Sequence, residues 1–580
     1  MSDLHKNKIN LQLAMNLRFA LVLLGVVHTT LQSLARETSY LRRTNIQSSQ
    51  LNFTDNENLQ NEASVFFSEI TSCGNWNIIG EPVHGVSDYE YSGSSLAASA
   101  DGRTVAIGAP YNSDSFIQQG SVRVHKFLSN SWKQKGGPIM GSDKKELLGT
   151  SVALSADGNI IAIGSLGHDR DLKDVGRVKV YKYIWSTDTW EKHGNWIFGQ
   201  RSNEKFGFDV ALSSDGSTLA ASNSGQGMKT ATSVYMFNEA TAKWKETGDR
   251  IEEGGGGGVS ISLSDNGKVL AIGYRQSKTN GVDSGHVRIF TKIESSSSWS
   301  QLGSTLYGNE MDNCGASISL TGDGMMIAIG SDGFDNDRGR VEVYRFAKEI
   351  LDWKRKGPVI LGEVEGSLAG TSVSFSWRGD IVAVGAIGKD RFGDESGQTT
   401  LYTYVSAKEE WVRVGDSIRG EAKDDYAGGN VALSNDGLRL VVAAPFNSME
   451  GTYSGLTRIF EFSPESCSPT QSPTVSPTTT PSRQPSSIPS AEPTVSPSVT
   501  ASVTPSVTPS TIPSEPPSVT PSNVPSAPPK PSLGPSVSPS ASVRPTRMAA
   551  LSPSKAPTGA PTTSFEAYNP LWSFLDGWIR

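Results

Sequence analysis

The chain has 580 residues, a formal net charge of −7 and three cysteines. This length exceeds what one compact core needs and leaves room for extensions around a large domain. The mildly acidic balance argues against a nucleic-acid-binding protein, which needs a basic face, and three cysteines are too few for a disulfide-built scaffold.

Residues 1–35 have the pattern of a secretory signal peptide. Basic residues precede an apolar run from Phe19 to Val27, and the small-residue stretch Ser33-Leu34-Ala35 follows. The run is shorter than the roughly 20 residues that span a bilayer, so a signal peptide is favoured and an uncleaved signal anchor is the alternative. Residues 36–72 are polar and aperiodic, which predicts a flexible leader, and Asn52 lies there in an N-glycosylation sequon.

A tryptophan recurs at nearly constant spacing between residues 73 and 467. The seven positions are Trp76, Trp132, Trp190, Trp244, Trp299, Trp353 and Trp411. Each interval holds a small-residue strand, an Asp-Gly turn, an apolar strand, a polar loop and an alternating strand that leads to the next Trp strand. Such a unit, repeated seven times, predicts an all-β fold: a seven-bladed β-propeller of four-stranded antiparallel blades. The Trp strand is expected to be outermost, with its ring packed against the next blade.

The repeat begins with a Trp strand and ends with an alternating strand, so the last blade lacks an outer strand. We predict that the N-terminal strand, Trp76 to Ile79, supplies it and closes the ring, which removes two exposed sheet edges. The closure brings the flanks with Cys73 and Cys467 together, and we predict a disulfide between them, with two free thiols as the alternative. Cys314 occupies a slot that other repeats fill with apolar residues and is expected to be a buried filler.

The units resemble FG-GAP repeats, the modules of integrin α-subunit propellers and of many secreted propellers. Phe206-Gly207 is a literal Phe-Gly pair, and Gly108-Ala109-Pro110 and the degraded Ala443-Ala444-Pro445 correspond to the second element. Calcium-binding members carry an Asp-rich loop between the first two strands of a blade. Here that connection is a tight turn, such as Ala100-Asp101-Gly102, so family-type calcium sites are not expected. The WD40 propeller is the rival assignment, but its Gly-His and Trp-Asp signatures are missing at the expected places.

One acidic loop, with Asp332, Asp335 and Asp337, has the clustered oxygen ligands that Ca²⁺ prefers. No bidentate Glu follows at EF-hand spacing, so solvated turn residues are the favoured interpretation and Ca²⁺ is the only cofactor considered. The sequence has no His-Glu-x-x-His motif and no Gly-x-Ser-x-Gly elbow. We therefore assign no catalytic and no cofactor-binding residue.

Residues 468–564 change abruptly to Pro, Ser and Thr. With few apolar residues to bury, they predict a disordered, extended tail that resembles a mucin-like stalk. Residues 565–580 form a short amphipathic segment that could dock on a partner or on a membrane surface.

Together these features predict a non-catalytic binding or adhesion protein that is secreted or lies at the cell surface or in the cell wall. Its propeller, expected to be monomeric, would present loops to a glycan or an extracellular protein. One alternative is a secreted propeller enzyme acting on polysaccharide, which needs carboxylates or a histidine at the mouth of the central channel. The other is an intracellular WD40-like scaffold. No nucleic-acid partner is expected, and membrane contact only through a signal anchor or the C-terminal segment.

Overall fold

The structure, a computed structural model, describes residues 74–463 except 170–171, 224–228, 255–257, 294–297 and 389–394. The predicted signal peptide, leader, stalk and C-terminal segment lie outside the described residues, and so do Asn52, Cys73 and Cys467. The chain divides into two units, and the second, residues 470–567, also lies wholly outside them.

Seven antiparallel sheets form the seven blades of a β-propeller, which confirms the predicted fold. We number the blades by the chain order of their first, innermost strands. These first strands are β3 (Ser95–Ala98), β8 (Leu148–Leu154), β13 (Val210–Leu212), β18 (Val259–Leu263), β23 (Cys314–Leu320), β28 (Ala369–Phe375) and β33 (Asn430–Leu433).

The second strands are continuously apolar and mostly buried, because each lies between neighbouring blades. They are β4 (Thr104–Ala109), β9 (Ile160–Ser165), β14 (Thr218–Ser222), β19 (Val269–Tyr274), β24 (Met326–Ser331), β29 (Ile381–Ala386) and β34 (Arg439–Ala444). The third strands are β5 (Ser121–Leu128), β10 (Arg177–Ile184), β15 (Thr230–Asn238), β20 (His286–Lys292), β25 (Arg340–Ala347), β30 (Gln398–Val405) and β35 (Leu456–Ser463). A single left-handed turn that we label α1 (Phe334–Asp337) precedes β25.

The fourth, outermost strand of each blade is split into two segments that pair with the same third strand. The first segments are β6 (Ser131–Gln134), β11 (Thr189–Lys192), β16 (Lys243–Glu246), β21 (Trp299–Gln301), β26 (Asp352–Arg355), β31 (Glu410–Arg413) and, in blade 7, β1 (Asn75–Ile78). The second segments are β7 (Ile139–Met140), β12 (Ile197–Phe198), β17 (Ile251–Glu253), β22 (Leu306–Tyr307), β27 (Ile360–Leu361), β32 (Ile418–Arg419) and, in blade 7, β2 (Val83–His84).

The ring closes as predicted, by the N-terminal strand. β1 pairs antiparallel with β35, so that Asn75 lies opposite Ser463 and Trp76 opposite Phe462. Blade 7 is therefore built from the two ends of the propeller, and β35 is paired on both sides, with β34 and with β1.

The repeating tryptophans form an outer ring of hydrogen bonds between blades. The indole N–H of Trp190 in blade 2 donates to the carbonyl of Lys135 in blade 1 at 2.8 Å, and five other repeats make the same bond. The next residue, Gly136, has a φ of +69°, and a Cβ there would lie 2.9 Å from the Trp190 ring. The outer strand is thus split where the neighbouring indole enters. The neighbour is the preceding blade, not the following one that the sequence analysis named.

A second ring runs through the turns between the first and second strands. In each turn one backbone N–H donates to the carbonyl of the equivalent residue in another blade, at 2.8–3.0 Å, and the last turn donates back to the first. The seven residues are Ala100, Ala156, Ser214, Asp265, Gly322, Trp377 and Asn435. The turn aspartates act as caps: Asp101 accepts hydrogen bonds from the Ser99 hydroxyl and from the Arg103 N–H.

Candidate functional site

A pocket lies on the propeller axis, at the end of the first strands opposite the ring of turns. Its cavity volume is about 370 Å³, near the lower limit for small-molecule sites. Its polar lining residues are Ser94, Ser95, Thr150, Ser151, Lys205, Asp209, Ser260, Arg275, Gln276, Ser317, Thr371, Ser372 and Asn430. All seven blades contribute to this wall, which makes it the natural site of a ligand.

In each blade the residue four positions before the turn Ser or Thr, in the first strand or directly before it, faces this pocket. The seven residues are Ser95, Ser151, Asp209, Ser260, Ser317, Ser372 and Asn430. Each of the five serines donates its hydroxyl proton to a glycine carbonyl in the next blade, as Ser95 does to Gly149 at 2.8 Å. Asn430 makes the corresponding bond to Gly93 at 3.1 Å and so links blade 7 to blade 1.

Asp209, in blade 3, is the exception in this ring. Its carboxylate accepts hydrogen bonds from the N–H groups of Val210 at 2.9 Å and of Ile261, in blade 4, at 2.8 Å. An ionised carboxylate has no proton to donate to a carbonyl group, so the serine-type link is replaced by a link of opposite polarity. We call these seven pocket-facing residues the inner ring. Asp209 is the one member that does not donate a hydrogen bond to the next blade.

Burial raises the pKa of Asp209 to about 7, although the two N–H donors lower it. A carboxyl group with this pKa exchanges its proton near neutral pH, as a general base or acid must. It lines the pocket, so a bound molecule can reach it.

The seam between blades 3 and 4 also differs in the outer ring. The indole N–H of Trp299, in blade 4, is buried and has no hydrogen-bond partner among the described residues, whereas the six equivalent indoles bind the preceding blade. Gly258 directly precedes β18, and a Cβ built on it would lie 3.6 Å from the Cβ of Arg275, an ordinary van der Waals distance. A Cβ built on the equivalent glycine of blade 6, Gly370, would lie 2.6 Å from the carbonyl oxygen of Arg340. The acid therefore lies at the seam where the described residues lack the indole hydrogen bond of the outer ring.

Two cations line the same side of the pocket. Lys205 precedes the first strand of blade 3, and Arg275 follows the second strand of blade 4, so both lie at the mouth. The guanidinium group of Arg275 is held by the buried carboxylate of Asp332 in blade 5, with N–O distances of 3.2 and 3.3 Å. The pocket therefore has cationic side chains at its mouth and one carboxylate, that of Asp209, further in.

The predicted calcium loop is arranged differently from a cation site. Asp332 is fully buried against Arg275, and burial raises its pKa. Asp335 lies half-exposed, 3.8 Å from Arg338, and forms with Asn336 and Asp337 a left-handed turn. Across the part of the chain that the structure describes, no group of three or more His, Cys, Asp or Glu side chains could hold a metal ion. Calcium binding by Asp332, Asp335 and Asp337 stays a prediction.

Cys314 is buried, as expected, and burial raises the pKa of its thiol to about 12, which keeps it protonated and unreactive. The predicted Cys73–Cys467 disulfide and the Asn52 glycosylation site fall outside the described residues. Within residues 74–463, apart from the gaps, no helix is long and apolar enough to cross a membrane.

Sequence reasoning missed Asp209. Aligning the seven repeats on their turn residues would have shown it, since Ser stands at that position in five repeats and Asn in one. The other six repeats place a neutral hydrogen-bond donor at this position, which packs against the next blade, and Asp209 departs from that pattern. Such departures concentrate at functional sites.

No family model matches the sequence, so the resemblance to FG-GAP repeats does not establish membership of that family. No curated protein matches it either. Among solved structures, 775 chains are similar to it. One is a periplasmic gluconolactonase of Pseudomonas aeruginosa, with 17% identity, a TM-score of 0.40, and coverage of 57% of this chain and 86% of that one. Another is a putative 6-phosphogluconolactonase of Bacteroides uniformis, with 12% identity, a TM-score of 0.41 and the same coverage.

These comparisons correct two predictions from the sequence. Both structures are named as lactonases, which are enzymes, and neither is named as an adhesion protein. These names run against the predictions of a non-catalytic binding or adhesion protein and of a chain without enzymatic activity, and neither prediction is kept. They missed the acid in the axial pocket because its partners come from different blades. At such low identity the likeness shows the fold alone, so the chemistry has to be argued from the pocket.

Proposed function

We propose that the protein is a hydrolase that uses the carboxylate of Asp209 as a general base. The observation that carries the proposal is the replacement of a ring serine by an acid that lines the axial pocket and has a pKa of about 7. Near neutral pH a large fraction of this group is ionised and able to take a proton from water.

The reaction that one such carboxylate serves is hydrolysis of an ester or a lactone. Asp209 takes a proton from a water molecule as its oxygen attacks the carbonyl carbon. The tetrahedral oxyanion collapses, the bond to the leaving oxygen breaks, and Asp209 returns the proton to that oxygen. Lys205 and Arg275 supply the positive charge of the pocket that favours the oxyanion.

The substrate is small. A cavity of about 370 Å³ holds one compact molecule rather than a polymer chain. Glycoside hydrolysis uses two carboxyl groups, and among the described lining residues Asp209 is the carboxylate. The proposal therefore keeps the enzyme alternative from the sequence analysis and changes its substrate from polysaccharide to a small ester or lactone.

The test is hydrolysis of a panel of small lactones and p-nitrophenyl esters by the full chain, followed by proton release. We expect Asp209→Asn to lower kcat/KM by at least about a hundredfold, within the usual range for a lost general base. Asp215→Asn, in an exposed turn of the same blade, is the matched control and should keep full activity. The proposal fails if the wild type turns over no substrate, or if Asp209→Asn is as active as the wild type.

We also propose that the enzyme is exported and held on a glycosylated stalk. Support comes from the signal-peptide pattern of residues 1–35 and the Pro/Ser/Thr composition of residues 468–564. N-terminal sequencing and intact mass of the protein from a secreting host test both features. A retained N-terminus and an unmodified mass would refute them.

A further inference from the structure

The Ser, Thr and Asn side chains of the pocket wall share one property: each already donates its hydrogen bonds to backbone carbonyl groups. The five ring serines donate to glycine carbonyls, as described above. The other hydroxyls on the wall, from Ser94, Thr150 and Thr371, donate to the carbonyls of Tyr91, Leu147 and Leu368 at 2.7–2.8 Å. Asn430 uses both amide N–H groups, to Gly93 at 3.1 Å and to Ser94 at 3.0 Å.

A hydroxyl group has one proton and two acceptor lone pairs. Once its proton is given to a backbone carbonyl, it can offer a ligand only its lone pairs. The same holds for the amide oxygen of Asn430 and for the carboxylate of Asp209. All nine Ser, Thr and Asn side chains of the wall, from all blades but blade 3, therefore face the pocket as acceptors.

We infer that the pocket selects a neutral, polyhydroxylated molecule, whose hydroxyl protons satisfy these acceptors. The inference rests on the proposed function and deepens it, because it names the part of the substrate that the wall recognises. Acceptors without donors leave buried lone pairs unsatisfied, so a ligand with ether or ester oxygens at these positions loses affinity. Lys205 and Arg275 at the mouth disfavour an ammonium ligand, which would otherwise also donate.

The orientation of the substrate follows from the same arrangement. The hydroxyl-bearing part faces the serine ring. The electron-rich carbonyl group of the ester or lactone lies towards the cations of blades 3 and 4, beside Asp209.

The test is direct binding, measured by calorimetry on the full wild-type chain, because the probes carry no ester or lactone bond for the proposed reaction. The probes are a panel of methyl glycosides of neutral hexoses and pentoses, and their per-O-methyl ethers. Each pair has the same ring and oxygens, but the ethers have no hydroxyl protons. We expect at least one glycoside to bind and its ether to bind at least about tenfold more weakly. Equal binding of glycoside and ether, preference for an alkylammonium ion, or no binding by any glycoside would overturn the inference.

Two substitutions in β23 sharpen the test. Ser317 lines the pocket, and its hydroxyl group donates to Gly370 at 2.7 Å. Ser319, two residues further along the same strand, also binds blade 6, by accepting from the N–H of Phe375 at 3.0 Å, but it is not part of the pocket lining. We expect Ser317→Ala to weaken glycoside binding about three- to tenfold and Ser319→Ala to leave it unchanged, at similar losses of thermal stability. Equal effects on binding would mean that both substitutions act by loosening the packing between blades 5 and 6, and that the Ser317 hydroxyl group does not contact the ligand.

The outcomes separate this inference from the proposed function. Glycoside binding without hydrolysis of any ester leaves the polyol site standing and removes the general base. Hydrolysis of an ester or lactone, together with equal binding of glycoside and ether, keeps the general base and removes the polyol site.

Discussion

The indole N–H of Trp353 in blade 5 donates a 2.8 Å hydrogen bond to the carbonyl group of Leu302 in blade 4, while the equivalent indole N–H of Trp299 has no partner among the described residues. The two tryptophans occupy the same place in adjacent blades, so they form a matched pair in which one makes the bond between blades and the other does not.

Trp353→Phe should therefore destabilise the protein more than Trp299→Phe. Both changes remove the same atoms from a packed ring, but only the first leaves a carbonyl acceptor of the neighbouring blade without its donor. We expect the difference in unfolding free energy to be about 1 kcal/mol. Urea unfolding of the two variants measures it, and equal losses would contradict the role assigned to the outer ring.

Asp209→Ser should stabilise the protein at high pH. The ordinary pKa of this carboxyl group is 3.8, and in the folded protein it is about 7. Between these values the folded state binds more protons than the unfolded state, so the free energy of unfolding falls as pH rises from about 4 to about 7. Serine removes the buried charge and restores the donor of the inner ring.

Melting temperatures at pH 4.5 and pH 8 test this prediction. We expect the gain from Asp209→Ser to be larger at pH 8. A substitution of Asp215 is the control and should show the opposite pH dependence. Burial raises the pKa of this carboxyl group, but the hydrogen bonds from Ser213 and Ser217 outweigh burial and lower it. A gain from Asp209→Ser that does not depend on pH would argue against a raised pKa.

Glu146→Gln should destabilise the protein by about 3 kcal/mol, because it removes the buried counterion that Arg177 and Lys179 share and leaves Arg177 only the half-exposed Asp143, at 3.1 Å. The carboxylate is fully buried and lies 2.7 Å from both Arg177 and Lys179. Burial alone would raise its pKa, but these two cations outweigh burial and hold the pKa at about 2.

The cost of Glu146→Gln also depends on pH. A lowered pKa stabilises the folded state above the ordinary value of 4.5, and this contribution is lost as pH falls towards 2. Urea unfolding at pH 7 and pH 3 should show the larger penalty at pH 7. Glu191→Gln, at an exposed position of β11, is the control and should change stability by less than about 0.5 kcal/mol.

The protein should contain one accessible thiol when it is unfolded without reductant, and three after reduction. Asn75 and Ser463 are paired in blade 7, so Cys73 and Cys467 follow within a few residues of a fixed pair. A disulfide there would close a loop of several hundred residues and add up to roughly 4–5 kcal/mol. Counting alkylated cysteines by mass spectrometry tests it, and three modified thiols before reduction would rule the bond out.

The fold was predictable because every repeat carries the same local signals. A Trp at a period of 54–58 residues, a turn Asp with Gly, and one apolar strand each mark a strand boundary. The phase of the repeat, with a Trp strand first and an alternating strand last, was enough to predict the closure by β1. The direction in which the Trp rings pack was not predictable, because both neighbours of a blade are equivalent in the sequence.

The candidate site was less accessible from the sequence. The pocket is formed by single residues about 55 positions apart, so no local motif marks it. Asp209 looks like an ordinary strand residue until the seven copies are superposed. Asp332 shows the converse: it lies in a loop rich in aspartate, which suggested calcium, yet the fold turns it inwards to bind Arg275 of another blade.

The closure of blade 7 also constrains how the chain can mature. β1 is among the first parts of the propeller to be synthesised, but its partner β35 ends at Ser463 and is the last. During synthesis the first strand must wait until almost all of the other strands have been made. A chain stopped early leaves both β1 and the last completed blade with open edges, so incomplete products are exposed to edge-to-edge association that the finished ring prevents.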